Sequence, residues 1–518
     1  MQQSPPAESA EKIERSAGQT ESERYLAQLA EKTFLNLWCY ANLYRDQRDG
    51  KNLQGKELCD LLVVCGDHVL IFSDKAVTWP AASDIDVAWQ RWFKRAVWKS
   101  MDQVQGASRW IDQYPERIFL DPLCQRPFPL KLPERSRRKM HGIVVARGAA
   151  DACRAHFSGG SGSLVVMPKL RCAAHMDKTA KHYAPFRIGD VNPDGPFIHV
   201  MDETTLDVLL SELDTITDLT TYLDKKAKFV RSGRLFGAEG EEDLLADYLT
   251  HMGPDGEHDF VAPDGKPWPA TKQIVYPGGL YAEMLSNPRY IAKKAADQDS
   301  YVWDGLIGAF TKHMLAGTTL VHDGAPFALS DHELAVRYMA LEDRLSRRMY
   351  GQAILDAIKR GAKEQRFFRA LLPDRDASRT ETGFFLLLVA YPAHLNLPRG
   401  YEQYREVRLA MLQAYAMGLA RKFRYLKRVV GITTEPPAAV TGVVGSSEDL
   451  ILFEPQGWTS ELEAEAERMC RQFDIFVDDR SKIYLHHGEE YPRVTTTAPS
   501  PNRRQRRADA ARQRSDKR

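Results

Sequence analysis

Residues 57–75 read ELCDLLVVCGDHVLIFSDK. Two apolar runs, LLVV and HVLIF, flank a turn-like CGD. Short apolar runs separated by Gly-Asp predict two strands joined by a tight turn. Glu57 and Asp60 precede the first run; Ser73, Asp74 and Lys75 follow the second. The outer ends of a hairpin lie side by side, so these polar groups form either one charged site or a solvated strand end.

The neighbouring segments frame that choice. Upstream, Leu26, Ala30, Phe34 and Leu37, with Leu29, Thr33 and Trp38, predict a helix from Tyr25 to about Tyr40. The stretch RDQRDGKNLQGK that follows reads as a loop. Downstream, DIDVAWQRWFKRAVWKSMDQVQGASRWI fits a long amphipathic helix over about 86–112. Trp89, Phe93, Ala96, Val97, Met101, Val104 and Ala107 suit its core face, and Arg91, Lys94, Arg95 and Lys99 its polar side.

The chemistry that would need such groups is specific. Cutting a phosphodiester with Mg²⁺ requires hard oxygen ligands at one point. The metal activates a water and shields the phosphate charge. Two adjacent strand ends, each presenting one polar group, supply that arrangement, and a preceding helix can add a Glu.

Over roughly residues 24–112 the chain resembles the PD-(D/E)XK, or restriction-endonuclease-like, superfamily. The resemblance rests on ELCDLLVV, LIFSDK and KSMDQVQGA in the order helix–strand–turn–strand–helix. It implies an α/β nuclease core, Mg²⁺ (or Mn²⁺) as cofactor and DNA as partner, with roles such as defence against foreign DNA or repair. Asp60 stands where the family's metal-binding Asp would be, Lys75 where its lysine would be, and Gln103 where several branches carry a polar helix residue. Glu31 stands at the position of the helix acid. One position departs from the pattern: the family has Asp or Glu two residues before the lysine, and residue 73 is Ser. In a regular strand Ser73 and Lys75 share a face and Asp74 takes the other. Three outcomes stay open: a bulge turns Asp74 inward, Glu57 or Glu31 supplies the carboxylate, or the site is inactive. Each residue also has a plainer reading. Asp60 caps a strand entrance, Asp74 and Lys75 are solvated, Gln103 and Glu31 are helix-face groups, and the basic stripe is a wet surface. Beside a metal site, Arg91, Lys94, Arg95 and Lys99 would track a phosphate backbone.

The rest of the chain is mixed α/β in texture, and its 518 residues suit three or four domains. Expected units are a disordered 1–22, the nuclease-like 23–130, a middle α/β region 131–255, a C-terminal mixed region 256–490 with long helices, and a basic disordered tail 491–518. The Pro- and Arg-rich PLCQRPFPLKLPERSRRK marks the first boundary. HGIVVARG and GSLVVMPKL read as strands, and ETTLDVLLSELDTITDLTTYLDKKAKFV as a helix. Ser330–Glu333 has a capping-box pattern. GFFLLLVAYP, RVVGITTEP and DLILFEP read as strands around the long helix YEQYREVRLAMLQAYAMGLARKFRYL.

Composition excludes other classes. The formal net charge is +1, so no global field attracts nucleic acid or membrane. Residues 501–518 alone hold seven Arg and one Lys against two Asp, a salt-sensitive phosphate attractant. The seven cysteines include no CxxC pair, which argues against a zinc ribbon or disulfide framework. No apolar h-region opens the chain and no apolar run spans a bilayer, so a cytoplasmic protein without membrane association is expected. HFSGGSGSLVV lacks the GK[ST] ending of a phosphate loop. His486-His487 with Glu489 and Glu490 lacks zinc-helix spacing, and Asp478-Asp479 reads as a surface turn.

Overall fold

The hairpin forms as read, and the chain builds its first sheet around it. The computed structural model describes residues 12–47, 54–319, 329–373, 381–392, 398–437, 448–476 and 488–492. The basic tail 501–518, Asp478-Asp479 and His486-His487 lie outside the described residues. Helix α1 (Glu21–Phe34) leads into strand β1 (Cys39–Arg45), followed by β2 (Lys56–Cys65) and β3 (His68–Ala76). Strands β2 and β3 pair antiparallel from Cys65↔His68 to Leu61↔Phe72. Gly66 takes φ 60° in the two-residue turn, the left-handed conformation that such a turn demands.

The expected helix to Tyr40 stops six residues early. Leu35 has φ 65°, which breaks the helical ladder, and Cys39 to Arg45 pair with β2 and the short β4 (Ile118–Phe119). The apolar spacing ran on past the break because Leu37 and Trp38 are also buried. After β3 comes helix α2 (Ile85–Phe93), a π turn at Lys94–Trp98, and α3 (Lys99–Gln113). The long helix is therefore present, with one wide turn in its middle.

The boundary expected at residue 130 is not an edge of this sheet. Strand β5 (Lys139–Arg147), which contains HGIVVAR, pairs parallel with all nine residues of β3. The Pro- and Arg-rich stretch before it is a packed loop; Arg138 donates to Pro133 O, Ile111 O and Asp112. The segment 12–22, expected to be disordered, is ordered: Arg15 donates to Asn36 O and Cys39 O, and Ser16 bridges to Ala41.

Strands β6 (Val165–Arg171) and β7 (Arg187–Asp190) start a second sheet, while β8 (Ile198–Met201) returns to the first beside β5. The first sheet thus runs β4-β1-β2-β3-β5-β8. Strands β9 (Leu235–Ala238) and β10 (Ile274–Tyr276) complete the second, in the order β10-β9-β6-β7. The helix expected over 203–230 is two, Glu203–Glu212 and Ile216–Arg231. Thr215 caps the second by accepting from Asp218 N, which ends the first. A third sheet of β11 (Arg366–Leu371), β12 (Thr382–Val389), β13 (Arg428–Thr434) and β14 (Asp449–Phe453) carries the long helix Gly400–Lys422. The architecture is mixed α/β, as expected, with three mixed sheets among the described residues. No helix among the described residues is long and apolar enough to cross a membrane.

Helices α1 and α3 lie on opposite faces of the first sheet. Phe72 of β3 meets Phe34 of α1, and the next residue, Ser73, meets Gln103 of α3. Alternation of side chains along a strand makes that assignment. Leu61, Leu62, Val63, Ile71 and Phe72 are fully buried between these layers. Leu62→Ala should cost about 2–5 kcal/mol, the range for a cavity left by a core leucine. Leu123→Ala, at a half-exposed site, should change stability by less than about 0.5 kcal/mol. Urea unfolding of both variants followed by circular dichroism checks the pair.

Candidate functional site

Beyond Leu61↔Phe72 the strands β2 and β3 no longer pair, although β3 stays joined to β5. Asp60 fills the gap. It is 1 % exposed, and its Oδ2 accepts the backbone N–H of Asp74 at 2.6 Å. A side chain therefore takes the hydrogen bond that a partner strand would otherwise make. Lys75 Nζ lies 3.4 Å from the same oxygen. From the other side Gln103 Nε2 reaches Asp60 Oδ1 at 3.4 Å, while Ser73 Oγ donates to Gln103 Oε1 at 3.0 Å. The sequence reading of Asp60, Lys75 and Gln103 as neighbours holds.

The bulge lies in β2 rather than β3. Leu43 faces Cys59 and Tyr44 faces Glu57, so Leu58 is an extra residue. One extra residue reverses the alternation beyond it and turns Glu57 towards Asp60. Asp74 is not brought in, because β3 pairs with β5 without irregularity. Its carboxylate points to the α1 side, where Oδ1 accepts from Arg147 Nε at 2.9 Å.

Glu31 is not at the site. It pairs with Arg15 at 2.9 Å. The helix acid that reaches the cluster is Glu23, eight residues earlier and so about 12 Å away along the axis. Glu23 closes a capping box with Thr20 and accepts from Gln19 N at 2.8 Å. It also accepts from Asn42 Nδ2 at 2.9 Å, and the same nitrogen lies 3.3 Å from Glu57 Oε1. Asn42 has φ 51° within β1, a conformation Asn tolerates better than most residues. Ser16 Oγ fixes its other end by donating to Oδ1. Sequence reasoning missed Glu23 and Asn42. The Thr20–Glu23 capping pattern was a signal for the first; a polar residue inside the apolar run CYANLY was one for the second.

Electrostatics distinguish the acids. Burial raises the pKa of Glu57, and the charge of Asp60 raises it further, against the Asn42 hydrogen bond. Burial also raises Asp60, with the Lys75 charge and the Asp74 N–H opposing. Asp74 is raised by burial against the pull of Arg147. Glu23 behaves oppositely: burial pushes it up, but hydrogen bonds from Asn42, Gln19 and Thr20 hold it below the ordinary value.

The donors are carboxylate oxygens, the class that binds Mg²⁺ or Mn²⁺. Mg²⁺ takes one or two carboxylates and completes its shell with water and phosphate oxygens. Asp60 and Glu57 are donors of that class. Among the described residues, no group of three or more His, Cys, Asp or Glu side chains is placed to hold a metal ion. Arg91, Lys94, Arg95 and Lys99 are exposed along α2 and α3, and none forms an ion pair among the described residues. Comparison with family models, curated proteins and solved structures finds no match for the chain.

The raised pKa of Glu57 gives a signed prediction. The folded state binds its proton more tightly than the unfolded state, so stability falls as pH rises from the ordinary Glu value of 4.5 through the raised one. Glu57→Gln removes that loss. The variant should melt higher than the parent at pH 7–8, and the gain should vanish towards pH 4, in thermal scans across that range in EDTA. Glu23→Gln should instead melt lower at neutral pH, since its charged form is the stabilised one.

Proposed function

We propose that the protein is a metal-dependent nuclease that hydrolyses phosphodiester bonds in DNA. The observation behind this reading is the insertion of Asp60 into the gap between β2 and β3. It meets Lys75 and Gln103 there, while Asn42 holds Glu23 and Glu57 alongside. A buried carboxylate costs free energy unless it is paired and hydrogen-bonded, and the partners that offset the cost here include Lys75 and Gln103.

In this reading Asp60 and Glu57 hold Mg²⁺ or Mn²⁺. The bound cation supplies Lewis acidity and lowers the pKa of a bound water. Lys75 orients the attacking water and offsets charge building on the phosphate. Gln103, steadied by Ser73, fixes the rotamer of Asp60. Glu23 stands behind Glu57 as a second acceptor, with Asn42 between them. The exposed Arg91, Lys94, Arg95 and Lys99 meet the phosphate backbone on the α3 side.

Ser73 supports one alternative: a nuclease-fold module without catalysis that binds nucleic acid or assembles with partners. Its hydroxyl is occupied by Gln103 and adds no charge. Incubation of duplex and single-stranded DNA with Mg²⁺ or Mn²⁺ separates the two. Cleavage should fall at least about 100-fold in Asp60→Ala and Lys75→Ala, the scale of losing a positioned catalytic group. Glu31→Gln should cleave like the parent. Equal cleavage in all variants would assign the activity elsewhere, and binding without cleavage by the parent would leave the module.

A further inference from the structure

A cleft of about 650 Å³ opens beside the outer end of β3. One wall is the exposed side of the first turns of α1, with Ser22, Arg24, Tyr25 and Gln28; the other is Ala76 and Arg147. Alternation along β3 sends Asp74 and Ala76 to this side and Ser73 and Lys75 to the other. The cleft and the carboxylate cluster therefore share one strand end, and Thr20 and Arg147, the partners of Glu23 and Asp74, line the cleft.

Its polar groups are held rather than loose. Tyr25 is 40 % exposed, yet its hydroxyl donates to Asp207 Oδ1 at 2.9 Å. The guanidinium carbon of Arg147 lies 5.5 Å from the Tyr25 ring centre. Asp74 engages Arg147 through Nε, and Nη2 is buried with no acceptor among the described residues. Arg24 is set at the rim by donating to Gln19 O at 2.8 Å. Glu21 also lines the cleft, and Asp74 partly balances Arg147, so the net positive charge is small. A polyanionic surface ligand is disfavoured; a single phosphate beside a flat ring is matched.

We infer that the cleft is a binding subsite for one nucleotide unit, with its base stacked on Tyr25 and its phosphate met by Arg147 and Arg24. A fixed aromatic ring beside a guanidinium recognises any base next to a phosphate. The amide of Gln28 offers both a donor and an acceptor to a base edge. The volume lies within the roughly 300–1,000 Å³ of small-ligand sites, a size for one unpaired nucleotide rather than a duplex. Two sources share this chemistry, a free nucleotide and a single strand. In the second case Ala76 hands the strand on towards Lys75; that continuation rests on the nuclease reading, and the binding does not.

The test is binding by the full chain in EDTA, where no metal-dependent cleavage occurs. The probes are a labelled single-stranded DNA of about eight nucleotides, read by fluorescence anisotropy, and dAMP as competitor. Tyr25→Ala should weaken binding about 5- to 150-fold, the range for loss of a stacking platform. Tyr25→Phe should restore it. Arg24→Ala should weaken it and lower the slope of log affinity against log salt by about 0.7, one phosphate contact on a single strand. Glu31→Gln, at a residue paired with Arg15 away from the cleft, should bind like the parent. Binding of dAMP but not of the strand would support the subsite with a free nucleotide as its ligand. No saturable binding of either probe, or Tyr25→Ala binding equal to the parent, would overturn it. Loss of cleavage with binding intact would remove the nuclease reading alone; loss of binding with cleavage intact would remove the subsite alone.

Discussion

The buried carboxylate of Asp60 is the constraint around which the first sheet is arranged. A charged group at 1 % exposure costs several kcal/mol unless donors surround it. Here the donors are a backbone N–H taken from the interrupted β2–β3 ladder, the Lys75 ammonium and the Gln103 amide. Each comes from a different part of the fold. Strand β3 must leave β2 at Phe72 to expose the Asp74 N–H, and it can do so because β5 holds its other edge over all nine residues. Helix α3 must pack across β2, β3 and β5 to deliver Gln103.

The same interruption explains why Asp74 does not substitute for an acid at position 73. The strand is regular against β5, so residues 73 and 74 face opposite layers. Asp74 belongs to the α1 layer, where it is neutralised by Arg147. To place it beside Asp60 would require a bulge in β3, and a bulge there would disrupt the parallel pairing that supports the open gap. The extra residue instead sits at Leu58 in β2, where the only neighbour is β1 and the ladder is already ending. The carboxylate that the bulge re-aims is therefore Glu57.

What was legible in the sequence follows from this geometry. The hairpin could be read because apolar strand runs and turn residues mark it, and Asp60, Lys75 and Gln103 were named by the resemblance and meet because their elements keep the period. Glu57 could be named but not placed, since a bulge breaks the period without a sequence mark of its own. Glu31 lies away from the cluster and Glu23 beside it, because helical spacing gives a face, not a height along the axis; the capping interaction of Thr20 with Glu23 fixes the height. Asn42 was invisible because its role depends on a left-handed backbone conformation inside a strand. The boundary at residue 130 failed for another reason. Proline and arginine mark a loop whether it links two domains or, as here, carries the chain from α3 to the next strand of the same sheet.

The charges at the site leave an imbalance that bears on its chemistry. Glu57 and Asp60 are both pushed towards their neutral forms by burial; the charge of Asp60 raises Glu57 further, and that of Glu23 raises Asp60. Lys75 opposes both, but it is a single charge, and its side chain is 36 % exposed. Glu23 adds a further negative charge that hydrogen bonding keeps ionised. Three acids and one lysine around an opening in a sheet make a local field that a hydrated divalent cation would relieve. Ser73 adds no charge to that field. The site is thereby less strained than a four-acid version would be. The sheet can then fold with its carboxylates buried, while the pull towards a positive partner persists.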